Sequence, residues 1–83
     1  MGERDHMKRE EIVDYMTAEI AENLKESAEN IDPDANFMKL GISSVQALKI
    51  INKLRKKMNV DITPVAMFEY KTITEFADYL TGV

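Results

Sequence analysis

Two adjacent hydroxyls, Ser43 and Ser44, follow the run Phe37-Met38-Lys39-Leu40-Gly41-Ile42 and precede Val45. Gly41 can take backbone angles closed to other residues, which lets a chain turn sharply into a following helix. Ser43 and Gln46 stand in the S-x-x-Q spacing of a capping box, with Ser43 as N-cap and Gln46 reaching back from the third helical position. Ser44 is then a hydroxyl left free in the first helical turn. A phosphate ester on it would lie beside unpaired backbone N–H groups at the positive end of the helix dipole, where anions are favoured. The plainer reading is that both serines simply begin a helix, since capped helix starts are common. Spacing alone leaves both readings open.

Other chemistry is poorly supplied. The chain has no cysteine, and its one histidine, His6, lies in an opening MGERDHM that looks like a vector-derived leader and is set aside as residues 1–7. No base is therefore evident to activate a serine, and no catalytic residue is assigned. Asp32, Asp34 and Asn36 imitate the first ligands of a calcium loop, but Phe37 stands where glycine is needed and Ser43 where the twelfth-position Glu belongs, so no metal site is assigned. Met16, Met38, Met58 and Met67 read as gap-fillers of a small core.

The elements that must hold Ser44 are helical. Eighty-three residues suit one domain that buries roughly 60% of its unfolded surface, with little room for a deep substrate cleft. From about Met7 to Ala28, apolar residues at Ile12, Met16, Ile20 and Leu24, flanked by Val13 and Ala21, form an amphipathic stripe that Asn30 and Asp32-Pro33 stop. A loop of about fifteen residues follows, with Ile31, Phe37 and Leu40 as apolar anchors. A second helix is expected over Ser44 to Met58, burying Ala47, Ile51, Leu54 and Met58. Thr63-Pro64 reads as an N-cap and first helical residue opening a short helix to about Glu69. Thr72 and Glu75 repeat the capping box for a last helix to about Leu80, with Gly82 as its stop. The expected fold is all-α, a four-helix bundle of three longer helices and one short one.

Charge is unevenly placed. Residues 1–36 carry four basic and eleven acidic side chains, and residues 37–83 seven basic and four acidic, giving −7 and +3. An acidic chain argues against general nucleic-acid binding, while one basic face remains for a protein partner. Residues 44–58 hold five basic side chains and no acid, and Lys49, Lys53 and Lys56 form one stripe with Val45 nearby. That reads either as a docking face or as a solvated helix face. No apolar run approaches the roughly 20 residues of a membrane span, and with no cysteine the expected location is cytoplasmic, with no membrane partner.

The sequence resembles the acyl carrier family, whose second helix starts with Leu-Gly-x-Asp-Ser-Leu. Leu40-Gly41-Ile42-Ser43-Ser44-Val45 matches it with Ser for Asp and Val for Leu. Phe37 stands at the family's loop anchor. Val60-Asp61-Ile62-Thr63-Pro64, Met67-Phe68-Glu69-Tyr70, Thr72-Ile73 and Leu80 resemble its third and fourth helices, so the likeness runs from about residue 10 to 81. The resemblance implies that Ser44 receives a covalent phosphopantetheine arm from coenzyme A, through a transferase using magnesium, and that the arm's thiol carries acyl groups as thioesters. Ser43 replaces an Asp thought to help the transferase engage its metal and coenzyme, which bears on the rate of loading rather than on the fold. Gly41, Ser43 and Ser44 are thus the expected arm-binding residues, and Val45, Lys49, Lys53 and Lys56 the expected docking residues.

Free-standing carriers of bacterial fatty-acid synthesis typically have an acidic second helix, so this basic one is more similar to carriers of modular polyketide or mixed polyketide and peptide synthases. The Gly-Gly-x-Ser usual in peptide carriers is absent. Ile50 stands where carriers that recruit β-branching enzymes often have Trp. The expected partners are a phosphopantetheinyl transferase and the acyltransferase, ketosynthase and modifying enzymes of a synthase, met by a monomeric domain that could be excised from a larger chain. The competing readings are an unmodified helical interaction module and a small helix-turn-helix nucleic-acid binder.

Overall fold

The computed structural model describes residues 8–82; the expected leader, residues 1–7, lies outside them. Helix α1 spans Arg9–Leu24 and buries Ile12, Met16, Ile20 and Ala21, with Val13 and Leu24 partly covered. It ends before the expected Ala28. Lys25 takes left-handed angles (φ 57°), so that Glu26 N–H reaches Ala21 O at 2.9 Å and Lys25 N–H reaches Glu22 O at 3.3 Å. These bonds close the last turn in the way glycine usually allows, here with a lysine. A 3₁₀ turn, Ala28–Asn30, follows.

The long connection to the serines is ordered. Ile31 is buried, and Pro33 O accepts both the N–H (3.1 Å) and the hydroxyl (3.3 Å) of Thr74. Asp32 accepts from Asp34 N–H, and Asn36 caps a one-turn helix, α2 (Phe37–Leu40), by accepting from Met38 N–H. Of the side chains that imitate a calcium loop, Asp32 and Asn36 therefore serve the backbone. Phe37 is buried and donates its N–H to Lys71 O at 2.8 Å, tying α2 to the chain just before the last helix.

Helix α3 spans Ser44–Met58 and buries Ala47, Ile50, Ile51, Leu54 and Met58. Ile50 widens the expected apolar stripe, as a helix covered by more than one neighbour requires. Helix α4 covers Ala66–Glu69 rather than starting at Thr63-Pro64. Ala66 N–H bonds Thr63 O (3.0 Å) and Met67 N–H bonds Pro64 O (3.2 Å), so the proline opens a tight turn of i→i+3 bonds that becomes helix two residues later. Helix α5 spans Ile73–Leu80, with Thr72 accepting from Glu75 N–H at 3.0 Å. Glu75 reaches past Thr72 to Lys71 N–H, so the reciprocal half of the expected box falls one residue early.

The expected long helices are α1, α3 and α5 and the expected short one is α4; α2 adds a turn the sequence did not announce. Helix α1 packs on α5 and on α3. The core gathers apolar side chains from every helix, with Phe76, Ile12, Met16, Ile20, Ile50, Ile51, Leu54 and Ile73 the largest fully covered, and no buried polar residue among the described residues. Met16, Met58 and Met67 fill it as expected, but Met38 is exposed, because a one-turn helix that buries Phe37 turns its next residue outward. Among the described residues, no helix is long and apolar enough to cross a membrane.

Candidate modification site at the start of helix α3

Gly41 closes α2 with φ 99°: its N–H bonds Met38 O at 3.1 Å and Ile42 N–H bonds Phe37 O at 3.2 Å. A side chain there would have room, since a Cβ would sit 3.7 Å from Leu24 Cδ2, so conformation rather than space asks for glycine. Ile42 then buries itself, and Ser43 starts α3 in extended geometry. The capping box is complete. Gln46 N–H donates to Ser43 Oγ at 3.2 Å, and Ser43 N–H donates to Gln46 Oε1 at 2.9 Å.

Ser44 is exposed, and its hydroxyl has no hydrogen-bond partner among the described residues, which makes it free in the sense that Ser43 is not. The N–H groups of Ser44 and Val45 also lack a protein acceptor among the described residues, since the first intrahelical bond of α3 is Ala47 N–H to Ser43 O. No acidic residue occupies this first turn. An anionic ester at Ser44 would meet two unpaired donors and the positive helix end, with no opposing carboxylate on its own turn.

Exposed apolar groups stand near the start of α3: Val45 (63%) and Leu48 (44%) on α3 itself, and Met38 (62%) on α2 and Phe68 (45%) on α4, which line one cavity with Ser43. Phe37, Met38, Ile42, Ala47, Met67 and Phe68 line most of that cavity of about 130 Å³. A larger, open hollow of about 400 Å³ lies by Asn52, Arg55 and Asn59 at the other end of α3, which at helical rise is roughly 20 Å from Ser44.

The basic row divides. Lys49 and Lys56 are exposed and form no ion pair among the described residues. Lys53 reaches across to Glu19 at 3.0 Å, and that hydrogen bond together with the carboxylate's charge holds its pKa above the ordinary lysine value. Lys57 sits 5.4 Å above the ring of Tyr15, whose hydroxyl is itself pushed upward in pKa by burial. Read in order, Tyr15–Lys57, Glu19–Lys53 and Asn23–Gln46 show α1 and α3 running antiparallel and laced along one seam.

Known proteins place this geometry. Residues 14–80 match the family described as Phosphopantetheine attachment site, and the chain belongs to that family. Polyketide synthase PksL of Bacillus subtilis (strain 168) is 34% identical over 70 residues, covering 84% of this chain and 2% of that protein. Polyketide synthase PksN of the same organism is 36% identical over 70 residues, covering 84% of this chain and 1% of that protein. The chain therefore spans only a small fraction of these curated relatives. The crystal structure of a free-standing peptidyl carrier protein from Acinetobacter baumannii superposes with a TM-score of 0.86 at 25% identity, covering 90% of this chain and 94% of that one.

Family members carry a covalently attached phosphopantetheine and act as carriers rather than catalysts. The residues at the start of α3 fit that group: an unengaged hydroxyl, two N–H donors without a protein acceptor among the described residues, and a first turn with no acidic side chain. Sequence reasoning missed Leu48, which lies one helical turn from Ser44 and could have been found by i, i+4 spacing. The apolar neighbours Met38 and Phe68 carried no local signal.

Proposed function

We propose that Ser44 bears the phosphopantetheine arm and that the chain serves as an acyl carrier in polyketide or mixed polyketide and peptide biosynthesis. One observation carries this reading: of the two adjacent serines, Ser43 is committed to the cap of α3, while Ser44 is exposed with its hydroxyl unengaged. When attached, the arm supplies a thiol that holds acyl groups as thioesters. The chain's own part is to present Ser44 Oγ on a fixed helix start, to neutralise the ester phosphate with the N–H groups of Ser44 and Val45, and to offer partners a surface beside the arm's root.

That surface comprises Val45, Lys49, Lys53 and Lys56, to which Leu48 is added. Lys53 contributes charge but shares its amine with Glu19, so Lys49 and Lys56 carry the steering toward acidic patches on partners. The partners are a phosphopantetheinyl transferase for loading and the acyltransferase, ketosynthase and modifying enzymes of a synthase. The similarity to polyketide synthases supports this assignment. Incubation with coenzyme A, magnesium and a broad-specificity phosphopantetheinyl transferase tests it. Intact mass should rise by one arm in the wild type and not in Ser44→Ala; no gain in the wild type would contradict the reading.

A further inference from the structure

We propose that Gln46 is a positioning residue for the loading of Ser44, because its single side-chain amide joins the first turn of α3 to the last turn of α1. This rests on the reading that Ser44 takes the arm. The last turn of α1 leaves carbonyls without helical partners, and the closing bonds of Lys25 and Glu26 use only those of Glu22 and Ala21. Asn23 O is one of those left over, and Gln46 Nε2 donates to it at 3.2 Å. At the same time Gln46 Oε1 accepts from Ser43 N–H at 2.9 Å. One amide therefore serves an orphan acceptor of one helix and an orphan donor of another, which requires a donor and an acceptor on the same short fork.

The contact sits two residues from Ser44. The next polar link along the α1–α3 seam is Lys53–Glu19, about two helical turns further on. Leu24, next to Asn23, also lies against the turn at Gly41, so the end of α1 buttresses the serine from both sides in sequence. Without the tether the cap could still form, but the helix start would be held to the body of the domain by the buried Ile42 and Ala47 alone, with no directional link to α1 at that end. The fraction of carriers presenting Ser44 correctly would fall, and apparent affinity for the loading enzyme falls by that fraction.

Two variants separate tether from cap. Gln46→Glu keeps an acceptor for Ser43 N–H and loses the donor to Asn23 O; Gln46→Ala loses both. Ile12→Val, a core change on α1, serves as the control for lowered stability without a lost tether. Kinetics of arm transfer from coenzyme A should show KM for the carrier raised about threefold to tenfold in both Gln46 variants, with kcat within about twofold and Ile12→Val unchanged. In the free domain, the Gln46 side-chain NH₂ protons should exchange severalfold more slowly than those of a solvated amide. Wild-type KM in Gln46→Glu, an equal rise in Ile12→Val, or solvent-like NH₂ exchange would each overturn the tether while the arm remains on Ser44. An arm located elsewhere by tandem mass spectrometry would overturn both the tether and the reading beneath it.

Discussion

In the first two turns of α3, the side chains of Ser44, Val45, Leu48 and Lys49 are exposed and bond to nothing among the described residues, whereas in the last two turns Lys53 and Lys57 reach back to α1, onto Glu19 and the ring of Tyr15. Both halves look like solvated, basic helix from outside. Exposure is therefore not availability: Lys53 and Lys57 are engaged in holding the helix, whereas Lys49 in the first half and Lys56 between those two are free to meet another molecule. Beneath both halves the same apolar row, Ala47 through Met58, anchors α3 in the core, so changes to the outer face can be separated from changes to the fold.

The sharpest break in the comparison comes from Ser44→Ala. It should abolish arm loading while leaving the circular dichroism spectrum and melting midpoint near wild type, because Ser43 holds the cap. Next, Val45→Asp and Leu48→Asp should slow transfer to a native partner about tenfold at every ionic strength, the effect of losing roughly 1.4 kcal/mol of contact. Chemical denaturation should show each within about 0.5 kcal/mol of wild type, as exposed positions usually are.

Ser43→Ala should do the reverse of Ser44→Ala. It should cost roughly 0.5 to 2 kcal/mol in a urea titration and still accept the arm at Ser44. The smallest effects separate the two lysines. Lys49→Glu should slow partner encounter a few-fold at low salt, with the difference vanishing as salt rises. Lys53→Glu sets two carboxylates against each other at Glu19 and should instead lower the melting midpoint, again in a salt-sensitive way. Equal kinetic effects from both lysines, with no change in stability, would erase the distinction between the halves.

What could be read from the sequence was what is decided locally. The start of α3 was legible because Ser43 and Gln46 are three residues apart and settle their own geometry. The apolar stripe of α1 was legible for the same reason, since its period repeats along one element. Its end was not: Lys25 takes a left-handed conformation that no glycine announced. Helix α2 escaped notice because one turn leaves no period to detect, and Met38 was misplaced in the core for want of that turn. Within the site, Ser44 emerged only when the family pattern was added to spacing that allowed a mere helix start. The bond from Gln46 to Asn23, 23 residues apart, and the pairing of Lys53 with Glu19, 34 residues apart, depend on how α1 lies against α3. Nothing in either segment taken alone fixes that.

The most direct measurement is to locate the arm by tandem mass spectrometry on a peptide spanning Ser43 and Ser44, cut from wild-type protein loaded with coenzyme A and a phosphopantetheinyl transferase. If the cap commits one serine and frees the other, fragment ions should place the whole modification on Ser44 and leave Ser43 bare. Modification on Ser43, or on neither serine under conditions that load a control carrier completely, would contradict it.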